Sequence, residues 1–152
     1  MDLEELKDSW RLKALTDCMN DRIWGNTLTY NCLPACRHIL STVATTFPNA
    51  VIVVGILSKN GPPPKKNIGN DIVSFAEGNL PNKPDFHAWI DLDGNDIFDV
   101  VGPSCYGFDS LPYFDKALAD SHNVFFSPIL TTPQQTDAFY KQLLDLQVGR
   151  RK

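Results

Sequence analysis

The chain lacks most features that would place it in a specialised class. Its longest apolar run, Ala50 to Leu57, is only strand-sized, whereas a membrane-crossing helix needs about 20 such residues; no membrane partner is expected. Positive charge is not in excess. Lys and Arg number 14 against 18 Asp and Glu, for a net charge of −4, which argues against a surface that tracks phosphates, so no nucleic-acid partner is expected. The opening Met-Asp-Leu-Glu-Glu-Leu is acidic, and no basic stretch leads into an apolar one. A secretory signal peptide is therefore not expected, and the location read is cytoplasmic, or exported as an effector without one. Cysteine is sparse: Cys18, Cys32, Cys36 and Cys105. Nothing argues for secretion, so free thiols are the default. Histidine is sparser still, with His38, His87 and His122 alone.

What remains is an ordinary soluble composition, 43% apolar and 21% charged, long enough at 152 residues for one core. No internal repeat or domain boundary is evident, so residues 1–152 read as a single catalytic domain. Leu3, Leu6, Trp10 and Met19 recur at helical spacing after a capping box of Asp2 and Glu5, predicting a helix over 2–19. A second helix is expected over 32–46, and Ala50 to Leu57 reads as a buried strand. The stretch 59–86 is a long Gly-, Pro- and Lys-rich connection interrupted only by Ile72 to Ala76. Segments 87–92 and 96–101 form a hairpin around Asp93-Gly94-Asn95. A short helix over 111–119, a strand over 123–126 and a helix from Thr132 to about Gln147 complete the pattern, the last with Pro133 at its first position and Gln135 completing a capping box. Helices, then strands, then a closing helix describe an α+β fold, with N-terminal helices packed on an antiparallel sheet.

The chemistry-bearing residues come in the order Cys32, His87, Asp99. Pro34 is tolerated in a first helical turn and costs about 3 kcal/mol in an interior, so it places Cys32 at a helix start and Cys36 inside. Unsatisfied amides and a partial positive charge there favour a thiolate and can receive an oxyanion. Cys32 is thus either a nucleophile or a partly buried helix-start thiol. Cys36, one turn on, is read as a small buried apolar residue, and Cys18 and Cys105 as structural.

A thiol nucleophile needs a base, and the base an orienting acceptor. Side chains alternate along a strand, so hairpin register decides whether His87 can meet Asp99. With a three-residue loop, Leu92 pairs with Asp96, and His87 and Asp99 become diagonal neighbours on one face. A two-residue loop turns Asp99 away. Asp91, Asp93 and Asp96 are rival acids, but only Asp99 lies in an apolar run, Ile-Phe-Asp-Val-Val, where a carboxylate needs a partner. Metal readings fare worse. Cys32 and Cys36 share a helix face, His38 points elsewhere, and no further pair completes a tetrahedral zinc site. The Asp91–Asp96 cluster lacks the ligand spacing and terminal Glu of a calcium loop. No metal and no cofactor are expected.

His-Ala-Trp-Ile-Asp-Leu-Asp-Gly followed by Ile-Phe-Asp resembles the His-Ala-Trp plus Asp-Gly signature of the papain-like and transglutaminase-like superfamily of thiol enzymes. There, a Cys begins a helix and a His and an Asp or Asn follow on adjacent strands. The resemblance spans about residues 26 to 101. It implies a papain-like/transglutaminase-like core, with Cys32 as nucleophile, His87 as general base and acid, and Asp99 as orienter. Asn26, six positions before Cys32, matches the amide residue that helps bind the oxyanion in papain-like members. Leu33 departs from the aromatic residue usual after the nucleophile, and no motif identifies a subfamily.

The function expected is a thiol-dependent acyl-transfer enzyme acting on amide bonds of a protein or peptide: a peptidase, amidase or glutamine deamidase, in the manner of a small hydrolase or a toxin-like effector. The alternatives are a protein-binding module of the same fold with an inactive site, and a transglutaminase or other acyltransferase. Tyr106, Phe108, Tyr113 and Phe114 are either core residues or the partner surface of such a module.

Overall fold

A computed structural model describes residues 2–19, 31–61, 68–105, 107–108 and 110–151. The chain runs through α1 (Leu3–Met19), α2 (Cys32–Ala44), β1 (Val51–Lys59), α3 (Ile68–Ala76), β2 (His87–Asp91), β3 (Ile97–Phe98), α4 (Gly102–Cys105), α5 (Lys116–Ser121), β4 (Val124–Leu130) and α6 (Pro133–Arg151). The four strands form one antiparallel sheet in the order β3-β2-β1-β4. This is the α+β class expected from the alternation of patterns, with α2 packed on β2 and β1 and α1 packed on α2.

The core lies between these helices and one face of the sheet. Ile52, Val54, Ala88 and Ile90 supply the sheet side, and Leu33, Ala35, Ile39 and Val43 the α2 side. The inward stripe of α1 is Lys7, Trp10 and Ala14, at helical spacing. Trp10 sets its edge against Phe98 (centroids 5.4 Å apart) and Phe47 (6.1 Å). Leu3, expected to face inward, is exposed, because the stripe is rotated toward the buried Lys7. A second, smaller cluster of Leu57, Phe114, Ala119 and Val124 forms between the sheet and the segment around α5.

Several boundaries differ from the sequence reading for physical reasons. The helix expected over 111–119 begins only at Lys116, because Asp115 is its N-cap: Oδ1 accepts the Leu118 amide at 2.9 Å. The strand expected over 123–126 continues to Leu130 through Pro128, which an edge strand tolerates. The 59–86 connection carries a nine-residue helix, α3. β3 stops at Phe98 because Asp99 leaves the β2 ladder and exchanges both backbone hydrogen bonds with Phe114 (2.9 and 2.8 Å). At the start of α6 the capping box is present, Gln135 N–H donating to Thr132 Oγ1 (3.2 Å) and Thr132 N–H to Gln135 Oε1 (3.3 Å).

Candidate active site

Cys32 is the first residue of α2, as Pro34 requires. Asn31 occupies the N-cap position, with φ −112° and ψ 31°. Its carbonyl accepts the Ala35 amide at 3.0 Å. Pro34 has no N–H, so the amides of Cys32 and Leu33 are the first-turn donors that the helix does not itself use.

His87 is the first residue of β2, opposite Gly55 of β1. The hairpin that follows has the odd-length turn on which the His87–Asp99 relation depends. Asp91 pairs with Ile97, and the Leu92 amide donates to the Asp96 carbonyl at 3.0 Å, leaving Asp93-Gly94-Asn95 as a three-residue loop. Gly94 adopts φ +88°, a left-handed conformation that disfavours a side chain. The rival acids are all engaged in or beside this turn. Asp91 Oδ1 accepts the Gly94 amide (2.7 Å), Asp93 Oδ1 accepts the amides of Asn95 (3.0 Å) and Asp96 (3.1 Å), and Asp96 pairs with Lys7.

Asp99 is the acid that reaches the imidazole. His87 Nε2–H donates to Asp99 Oδ2 at 2.6 Å, with both residues buried. The other carboxylate oxygen, Oδ1, accepts the amides of Val101 (3.1 Å) and Gly102 (2.9 Å). Three donors thus hold a carboxylate that burial would otherwise penalise. Nε2 being taken, Nδ1 is left to face the Cys32 thiol, which is also a hydrogen-bond partner of the ring. The structure therefore brings Cys32, His87 and Asp99 together. Asn26 lies outside the described residues.

Charge within this group is arranged unevenly. Burial pushes the His87 pKa down, but the charge and hydrogen bond of Asp99, and the hydrogen bond and charge of Cys32, outweigh it and hold the ring well above the ordinary histidine value. At Cys36 burial pushes the thiol well up, and the neighbouring Cys32 and Asp99 push it further. Cys36 is thus held as a neutral thiol, the part expected of it. Among the described residues Cys32, Cys36 and Cys105 are free cysteines.

Three neighbours not assigned from sequence shape the site. The Trp89 ring stacks near that of His87 (centroids 6.2 Å apart, planes 23° apart) and meets Phe126 edge-on at 5.0 Å. Its indole lies over Gly55, where an added Cβ would come within 2.8 Å of Trp89 Cη2 and overlap the Ser127 carbonyl. Gly102 abuts the Asp99 carboxylate itself. Two-residue alternation places Trp89 beside His87, and an Asp followed three residues later by Gly is a turn signal. Neither signal reveals the steric contact, which needs the third dimension.

Comparison of the chain with protein-family models, with curated proteins and with solved structures finds no match.

Proposed function

We propose that this protein is a thiol-dependent acyl-transfer enzyme acting on amide bonds of a protein or peptide. The observation that carries this reading is the convergence of a helix-start Cys32, a buried His87 hydrogen-bonded to Asp99, and an Asp99 fixed by three hydrogen bonds. The resemblance of His-Ala-Trp-Ile-Asp-Leu-Asp-Gly to papain-like and transglutaminase-like enzymes supports it.

In this reading the Cys32 sulfur attacks the carbonyl carbon of an amide. The tetrahedral oxyanion is received by the Cys32 and Leu33 amides, with Asn26 as the further donor that the resemblance implies. His87 gives its Nδ1 proton to the departing nitrogen, the C–N bond breaks, and a thioester on Cys32 remains. His87, now neutral, takes a proton from the second nucleophile as that attacks the thioester, and Cys32 leaves. Water as second nucleophile makes the enzyme a peptidase, amidase or glutamine deamidase; an amine makes it a transferase. Asp99 keeps the ring's orientation throughout and supports its positive charge, as the acid of a catalytic triad does.

The near-complete burial of the three side chains, 5% exposure at Cys32 and less at the others, favours a second reading: a protein-binding module of the same fold with an inactive site. Competitive labelling with iodoacetamide, read by mass spectrometry, separates the two. The enzyme reading expects Cys32 to react faster than Cys18, Cys36 and Cys105, and to lose that advantage in His87→Ala. Slow and equal labelling of all four selects the binding module.

A further inference from the structure

Asp99 is the one member of the group whose side chain is not on a regular element. β3 has ended at Phe98 and α4 begins at Gly102, so what holds the carboxylate is local. Its backbone is pinned to Phe114 on both sides of the peptide. Its Oδ1 is fixed by the Val101 and Gly102 amides, and its Oδ2 receives the His87 proton. The α-carbon of Gly102 lies against the same carboxylate. A Cβ built there overlaps Oδ2, comes within 3.0 Å of Asp99 Cγ and reaches 2.9 Å from Phe114 Cδ2. The oxygen it overlaps is the one bonded to His87. Gly102 has no left-handed φ that would itself require glycine. Space is therefore the reason for glycine at this position.

We propose that Gly102 is a positioning residue for the Asp99–His87 pair: its amide anchors one carboxylate oxygen, and its missing side chain leaves the other free to face Nε2. This deepens the reading of Cys32, His87 and Asp99 as a thiol-enzyme site and rests on it. The rival explanation is that Gly102 is merely a packing requirement against Phe114. The two differ in what happens when the carboxylate is removed. A side chain at 102 that acts through Asp99 has nothing left to displace in Asp99→Ala, whereas the approach to Phe114 is unchanged.

The test is a double-mutant cycle on the full chain with Gly102→Ala, Asp99→Ala and the two combined. His87 is titrated by NMR through its ring signals, and Cys32 is alkylated with iodoacetamide. Gly102→Ala is expected to lower the His87 titration midpoint by about one unit, a tenfold change in the ring's proton affinity, and to slow Cys32 alkylation by about tenfold. In the Asp99→Ala background the same substitution changes neither. Equal effects in both backgrounds, or an unmoved His87 midpoint in Gly102→Ala, overturn the proposal. Should Gly102→Ala fail to fold, the combined variant decides: recovery of the fold once the carboxylate is gone supports the proposal, and continued failure overturns it. The enzyme reading can fail separately. If Cys32 of the unaltered protein alkylates no faster than Cys105, that reading falls, while the His87 midpoints still decide the role of Gly102.

Discussion

Lys7 Nζ lies 2.8 Å from Asp96 Oδ2, joining the first helix to the turn that sets the register of His87 and Asp99. The same ammonium reaches Asp115 Oδ2 at 3.1 Å, the residue that caps α5. Asp96 Oδ1 in turn accepts the amides of Ile97 and Lys116, both at 2.9 Å. Three segments distant in sequence are thereby tied at one buried lysine.

Removing the lysine is expected to be costly. Burial lowers the Lys7 pKa, but hydrogen bonds to Asp96 and Asp115 overcome it, for a net rise. At Asp96 burial raises the carboxyl, while Lys7 and the two amides lower it further than burial raises it. Breaking a buried ion pair costs about 3–5 kcal/mol; with Asp96 and Asp115 partly solvated, Lys7→Met should cost about 2–3 kcal/mol near neutral pH by urea unfolding. The sign with pH follows from the depressed Asp96. Its contribution is present above the unfolded value near 3.8 and is lost as pH falls through its lower folded value. The gap between wild type and Lys7→Met should therefore narrow in strong acid; a gap that stays constant would show that Lys7 stabilises by packing alone.

His87 predicts an opposite dependence. Its folded pKa lies well above the ordinary 6.5, so the stability its charge confers is complete below that value and is lost as pH rises through the folded one. Unfolding midpoints of wild type, compared with His87→Gln, should show a surplus at pH 6 that declines in alkali. Asp99→Asn removes the largest influence raising the ring's pKa, and its His87 midpoint by NMR should fall. An unshifted midpoint would contradict the charge arrangement of the site.

Cys32 and Cys36 should separate cleanly. Cys32→Ala is expected to remove the fast phase of alkylation entirely. Cys36→Ala should keep that phase and lose about 1 kcal/mol of stability, the order expected for emptying one buried group of methylene size. A fast phase that survives Cys32→Ala and vanishes in Cys36→Ala would place the nucleophile at Cys36, one turn further along α2.

Much of this geometry was legible in the chain because its signals are local. Pro34 put Cys32 at a helix start, Asp93-Gly94-Asn95 marked the turn, and Thr132, Pro133 and Gln135 marked α6. What the sequence hid is long-range. The turn to the inward face of α1 depends on Lys7, whose carboxylate partners lie 89 and 108 residues away. No local pattern announces a buried lysine. The early end of β3 has the same origin: alternation runs on through Asp99 and Val101, but the backbone of Asp99 is claimed by Phe114. Gly55 and Gly102 show no steric role until Trp89 and the Asp99 carboxylate are placed against them.

The hairpin register gives the sharpest test of the site. Because side chains alternate, deleting Ile97 while keeping the three-residue loop shifts the strand by one, bringing Phe98 opposite Asp91 and Asp99 opposite Ile90, on the face away from His87. Phe98 would then leave the core contact it makes with Trp10, so the chain has two ways to respond. It can accept the new register, separating His87 from Asp99, or keep the old one by straining the turn. Gly94→Ala is the control, since it disfavours φ +88° at a cost of about 1 kcal/mol without changing loop length. The expected result is a His87 midpoint near the ordinary histidine value and slow Cys32 alkylation in the deletion variant, with both preserved in Gly94→Ala. A deletion variant that folds and retains the raised His87 midpoint would show that strand register does not set the relation between His87 and Asp99.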